Sequence, residues 1–123
     1  MDTPKIFDSE LKFCEILWQH QPVKSSELVH LCADQLGWKK STTYTVIKRL
    51  TDRGVVKTED ATVTALVGRE DVQRAESRAF VQRNFSGSLP GFLNAFVGGK
   101  GLTAAEADEL RRMIDKFEEE HHG

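Results

Sequence analysis

Apolar residues recur at helical spacing from the beginning of the chain. Over residues 8–19, Leu11, Cys14, Leu17 and Trp18 form a stripe that Phe13 and Ile16 widen, with Ser9 at its start. Gln21-Pro22 breaks it. A second helix is predicted to open at Ser25 or Ser26, with Glu27 in its first turn. It runs through Leu28, Val29, Leu31, Cys32 and Leu36 to Gly37. In the third, Thr43, Val46, Ile47 and Leu50 make the apolar face and Ser41 is the predicted N-cap, its hydroxyl accepting a free backbone N–H. Gly54 stands where a helix end calls for a residue that tolerates positive φ. Helix, break, helix, turn, helix within about fifty residues is the plan of a helix-turn-helix unit.

The period then changes. Residues 55–58 and 62–67 are rich in β-branched side chains, and Glu59-Asp60-Ala61 separates them as a turn. A two-stranded hairpin is expected there, which makes the three-helix unit a winged helix. Trp18 is expected in its core, between the first helix and the wing or third helix. From Arg69 the pattern is helical again, with Val72, Ala75, Ala79, Phe80, Val81 and Phe85 as apolar positions up to Ser86-Gly87-Ser88. Residues 89–97 form a short apolar helix containing Phe92, Leu93 and Phe96, ended by Gly98-Gly99. Thr103 and Glu106 have capping-box spacing before a last helix that runs through the apolar positions Ala107, Leu110, Met113, Ile114 and Phe117.

The chain thus divides into a winged helix-turn-helix domain, residues 1–68, and a helical segment, residues 69–123, in a mostly α protein. Three short helices bury little surface alone. The second segment therefore reads as a dimerisation module in which Phe80, Phe85, Phe92, Phe96, Leu110, Ile114 and Phe117 meet a second copy.

Charge changes the picture at one place. The 123 residues carry a formal net charge of −2, with 39% hydrophobic and 29% charged positions, which suits a water-exposed globular chain. Residues 38–58 nonetheless hold six basic side chains against Asp52 alone, a local +5, while residues 59–123 sum to −4. The third helix carries that positive charge beside small hydroxyls. Ser41, Thr42, Tyr44 and Thr45 suit contact with base edges in a DNA major groove; Lys39, Lys40, Lys48, Arg49 and, from the wing, Lys57 suit phosphates, with Arg53 adding to the patch. The wing tip is acidic at Glu59 and Asp60, a poor phosphate contact.

Other chemistries find no footing. No Gly-rich phosphate loop, nucleophile elbow or HExxH is present, so no catalytic residue and no cofactor are expected. Cys14, His20, His30 and Cys32 lack compact zinc spacing, and His30 and Cys32, two apart on a helix, point away from each other, so no metal site is expected. His121 and His122 read as a frayed tail. Cys14 and Cys32 fall inside apolar helical patterns and are expected as buried free thiols in a reducing compartment. With no run of apolar residues long enough to cross a bilayer and no secretory leader, a cytoplasmic protein without membrane insertion is expected.

Several motifs in order resemble the penicillinase-repressor family of bacterial winged-helix regulators, which includes the BlaI, MecI and CopY types. They are Ile6, Glu10, Leu17 and Trp18 at the opening; Ser26-Glu27-Leu28; Thr42, Thr45, Arg49, Leu50 and Gly54; and Phe85-Ser86-Gly87-Ser88. The resemblance spans residues 6–117. It implies a homodimeric repressor on a palindromic double-stranded DNA operator, read by the third helix and relieved indirectly by a membrane-bound sensor metalloprotease. Tyr44 stands where some members have a basic side chain, which points to a different operator. Ala95-Phe96 aligns with the Asn-Phe pair cut in the penicillinase repressors, so the cleavage bond is not carried over. The C-terminal cysteine pairs of the copper-responsive branch are absent, and copper regulation is not expected. A second class stays open: a winged-helix protein–protein interaction module that does not bind DNA.

Overall fold

The computed structural model describes residues 3–121, without the side chain of His121; the tail reading at His122 lies outside the described residues, whereas the backbone of His121 closes the last helix. Its elements run α1 (Asp8–His20), β1 (Val23–Lys24), α2 (Ser25–Leu36), α3 (Lys40–Asp52), β2 (Val56–Glu59), β3 (Thr62–Ala65), α4 (Arg69–Phe85), α5 (Leu89–Val97) and α6 (Ala104–His121). They form two compact units, the first running to Ala79 and the second beginning at Phe80, so α4 contributes to both.

The first unit is a winged helix. Its core is the apolar stripes of the three opening helices closed by the wing: Phe13, Leu17, Leu28, Cys32, Leu50, Val55 and Val63 are all fully buried. Burial of this apolar surface is the main stabilising term. The period-2 hairpin is present, with β2 and β3 antiparallel and Thr58 opposite Val63. Its turn is tighter than expected. Glu59 pairs with Thr62, which leaves Asp60 and Ala61 as a two-residue turn at φ 50° and 60°, the backbone that matches strand twist.

The wing also belongs to a larger sheet. The two residues of β1 pair with β3, Val23 opposite Val63, giving the order β1-β3-β2. Two residues cannot display a period, so this strand left no mark on the hydrophobic pattern. Its place comes from partners distant in sequence, among them the Ser25 N–H donated to Ala61 O at 2.8 Å and the Ala65 N–H donated to the Gln21 side chain at 2.8 Å.

Two expectations are corrected here. Ser41 is not the N-cap: α3 begins one residue earlier, with Lys39 as cap and no side-chain cap bond, and Ser41 lies exposed in the first turn. The start is set by packing, because Trp38 stacks on Phe13 with ring planes 2° apart and centroids 6.3 Å apart. Trp18 is half-buried at the edge of the core rather than within it. Its Nε1 donates to Val67 O at 2.9 Å, and the Arg69 guanidinium lies 5.4 Å from its ring while also binding the Glu15 carboxylate. The indole N–H needs a partner, and the one within reach lies at the rim.

In the second unit Phe80, Phe85, Phe92 and Phe96 pack ring against ring, with centroids 5.6–6.1 Å apart. Ser88 caps α5 by accepting the Gly91 N–H at 3.0 Å. Thr103 and Glu106 form the capping box of α6, each side chain accepting the other's backbone N–H at 3.1 and 3.0 Å. No described residue of this unit is buried.

Candidate nucleic-acid interface

The site is one face of α3, and its geometry follows from the burial of the opposite face. Thr43, Val46, Ile47 and Leu50 fall within a half-turn arc of the helix and pack into the core, so Ser41, Thr42, Tyr44, Thr45, Lys48 and Arg49 must point outward, and all are exposed. Thr43 is tolerated inside because its hydroxyl donates back to Lys39 O at 3.4 Å. Gly54, at φ 80°, lets the chain leave the helix sharply and start the wing.

The outward face offers three hydroxyls and a phenol, groups that both donate and accept, beside Lys39 and Lys40 at the N-terminal end and Lys48 and Arg49 one turn beyond Thr45. Hydroxyls at this spacing reach neighbouring base edges, while long cationic side chains reach phosphates on either side. Lys48 also lies 3.7 Å from Asp52, one turn along the helix, and both side chains are largely exposed. Exposed pairs of this kind contribute little, so Lys48 can exchange its partner for a phosphate at small cost. Lys57 stands apart from α3 on β2, exposed and 3.6 Å from Glu59. The structure thus brings eight of the nine predicted contacts onto or beside one helix and puts the ninth on the wing.

Arg53 departs from the sequence reading. It closes α3 as the C-cap and turns inward, where its guanidinium binds the Glu10 carboxylate and its Nη1 donates to Lys5 O at 2.8 Å. Glu10 is 4% exposed. Burial pushes its pKa up, but the Arg53 hydrogen bond, the Phe7 N–H and the charges of Arg53 and Arg49 outweigh that and hold the carboxyl below its ordinary value. A depressed folded-state pKa adds stability at neutral pH that is lost as pH falls through it, so the contribution should drain away below the ordinary value of 4.5. Urea unfolding at pH 7 and in steps down to pH 3 should show this loss, and Glu10→Gln should remove its share of the pH dependence. An identical pH profile for the variant would exclude Glu10 as a source.

The two thiols are chemically quiet. Both cysteines are free and buried; burial, helped by the nearby Glu10 and Glu15 charges, pushes Cys14 up to about 12, and burial also raises Cys32. Among the described residues no group of three or more His, Cys, Asp or Glu side chains is placed to hold a metal ion. No helix among them is long and apolar enough to cross a membrane.

The predicted interface residues of the second unit are divided in exposure. Phe85, Phe92 and Leu110 are half-buried, whereas Phe80, Phe96, Ile114 and Phe117 are exposed, Phe96 to 71%. The latter four are large apolar side chains left facing water within one chain.

Comparison with known proteins agrees with this architecture. A penicillinase repressor of Bacillus licheniformis is 22% identical over 117 residues, spanning 92% of this chain and 91% of its own length. The methicillin resistance regulatory protein MecI of Staphylococcus aureus is 25% identical over 118 residues, spanning 93% and 96%. Among solved structures, monomeric Bacillus licheniformis BlaI in complex with the blaP half-operator superposes with a TM-score of 0.51 at 24% identity, over 58% of this chain and 93% of that one, a likeness of fold. The family model for penicillinase repressors matches residues 6–116, and the chain belongs to that family.

Proposed function

We propose that the chain is a cytoplasmic, homodimeric transcriptional repressor that binds a palindromic double-stranded DNA operator through α3. The observation that carries this reading is the division of α3 into a buried apolar face and an exposed face of hydroxyls and cations, Ser41, Thr42, Tyr44, Thr45, Lys48 and Arg49. In this reading Ser41, Thr42, Tyr44 and Thr45 contact bases, and Lys39, Lys40, Lys48, Arg49 and Lys57 contact phosphates. The exposed apolar faces of the second unit support pairing with a second copy. The names of the relatives, a penicillinase repressor and a methicillin resistance regulator, support genes of β-lactam resistance as targets. The family resemblance supports indirect release by a membrane-bound sensor metalloprotease, while Ala95-Phe96 in place of the Asn-Phe pair speaks against cleavage at that bond.

Titration of operator and random duplexes at several salt concentrations tests the reading. Thr45→Ala should lower operator affinity by about 1–3 kcal/mol and relax preference at one position. Lys48→Ala and Arg49→Ala should weaken binding to all duplexes alike, each flattening the salt slope by about one unit. Half-sites should lie about one helical turn, roughly 10 base pairs, apart. If the Thr45 and Lys48 variants both bind as the parent does, α3 is not the reader. The exposed acidic wing tip, Glu59 and Asp60, favours the protein–protein module should no duplex bind.

A further inference from the structure

Arg53 has the sequence position of a phosphate contact and the surroundings of a clamp. Its Nη1 donates to Lys5 O at 2.8 Å, its Nη2 to Glu10 Oε2, and its guanidinium carbon lies 5.3 Å from the Phe7 ring centroid. The other carboxylate oxygen of Glu10 accepts the Phe7 N–H at 3.0 Å. Among the described residues Glu10 is the only charged side chain that is buried. A planar guanidinium holds its diverging N–H donors in a fixed fork, a geometry that the compact ammonium of a lysine does not reproduce. Two N–H donors of Arg53 are thereby directed at the protein rather than at solvent.

The opposite end of α3 is held to the same helix. Trp38, two residues before α3 begins, stacks on Phe13 of α1, and Arg53, just past its end, binds Glu10 of α1. Between these points α3 meets the core through the buried Thr43, Val46, Ile47 and Leu50, mainly apolar contacts whose burial energy is itself non-directional. The charged fork at one end and the ring stack at the other supply direction.

We propose that Arg53, acting through Glu10, is a positioning residue for DNA reading: it holds the C-terminal end of α3 in the one pose that presents Thr42, Tyr44 and Thr45 to base edges. It does not contact phosphate. This rests on the reading of α3 as the DNA-reading helix, and it assigns to a partly buried ion pair the task of selectivity rather than affinity. Contacts to base edges need the side chains in register, whereas phosphate contacts by long flexible cations survive a small tilt.

The test compares the parent with Arg53→Met, Arg53→Lys, Glu10→Gln and the double variant Glu10→Gln/Arg53→Met. Each is titrated with a duplex that the parent enriches from a random library and with a shuffled duplex of equal length. All measurements are made below each variant's thermal midpoint, with folding checked by circular dichroism. Removing both charges strands neither in the core, so the double variant keeps the test open should Arg53→Met alone fail to fold. The expected result is a preference for the enriched duplex reduced about tenfold, the scale of one lost base contact. Affinity for the shuffled duplex and the salt slope should stay at parental values. Arg53→Lys should not restore the preference, and the double variant should lose no more than Arg53→Met. Equal weakening on both duplexes with the salt slope flattened by about one ion would make Arg53 a phosphate contact and overturn the proposal. An unchanged preference in folded variants would overturn it as well. A parent that enriches no duplex overturns the DNA reading itself, a result distinct from a selective parent with unaffected variants.

Discussion

Aspartate at both Phe96 and Ile114 is expected to split the proposed homodimer and lower affinity for the proposed two-site operator about 10²–10⁴-fold, because the second half-site then binds without the effective concentration that linkage provides. The two side chains are 71% and 59% exposed in one chain, and no described residue from Phe80 onward is buried. Large apolar side chains facing water are costly for a lone chain, and covering them is favourable. A buried, unpaired carboxylate at each position would make that covering unfavourable. Affinity for an isolated half-site should remain, since α3 is untouched. Sedimentation velocity at micromolar concentration reads the mass, and titration of full and half operators reads the linkage. A parental monomer, or a double variant that still sediments as a dimer, would remove these residues from the interface.

Phe13→Ala is expected to cost about 3–5 kcal/mol, the range for deleting a fully buried aromatic ring. The ring is wholly buried and supports Trp38 by stacking, so the loss empties the core and frees the chain leading into α3. Thermal unfolding followed by circular dichroism measures it, with a midpoint drop of about 4–8 °C per kcal/mol for a unit of this size. Trp18→Ala is the contrasting variant. With the indole half-buried and one hydrogen bond to Val67 O, about 1–3 kcal/mol is expected. A larger loss at Trp18 than at Phe13 would mean that the tryptophan, not the phenylalanine, is central to the core.

Much of the winged helix and of α3 was legible in the chain because each signal is local. Leu11, Cys14, Leu17 and Trp18 repeat at the helical period whatever they pack against, and α1 forms over Asp8–His20. Thr103 and Glu106 satisfy each other's backbone across three residues, and α6 begins there. The predicted outward face of α3 is exposed in the structure for the same reason: once Val46, Ile47 and Leu50 are buried, the period dictates the rest. Belonging to the penicillinase repressors was likewise carried by residues at fixed spacing, from Ile6 to Gly54 and on to Phe85.

What escaped the sequence depends on partners far along the chain. The strand β1 has two residues, too few for a period, and exists because Val63 of the wing faces Val23. Ser41 had cap chemistry, but the helix start was decided by Trp38 stacking on Phe13, a contact that no local propensity contains. Arg53 counted as one more cation in a basic run until folding brought Glu10 beside it and turned a candidate phosphate contact inward. Hydrophobic periodicity acts within one or two turns, so the sequence by itself determined which residues form helices and, in the first unit, which faces they bury. The direction of a charged side chain at a helix end is settled by whichever partner the tertiary fold delivers, and here that partner lies 43 residues away.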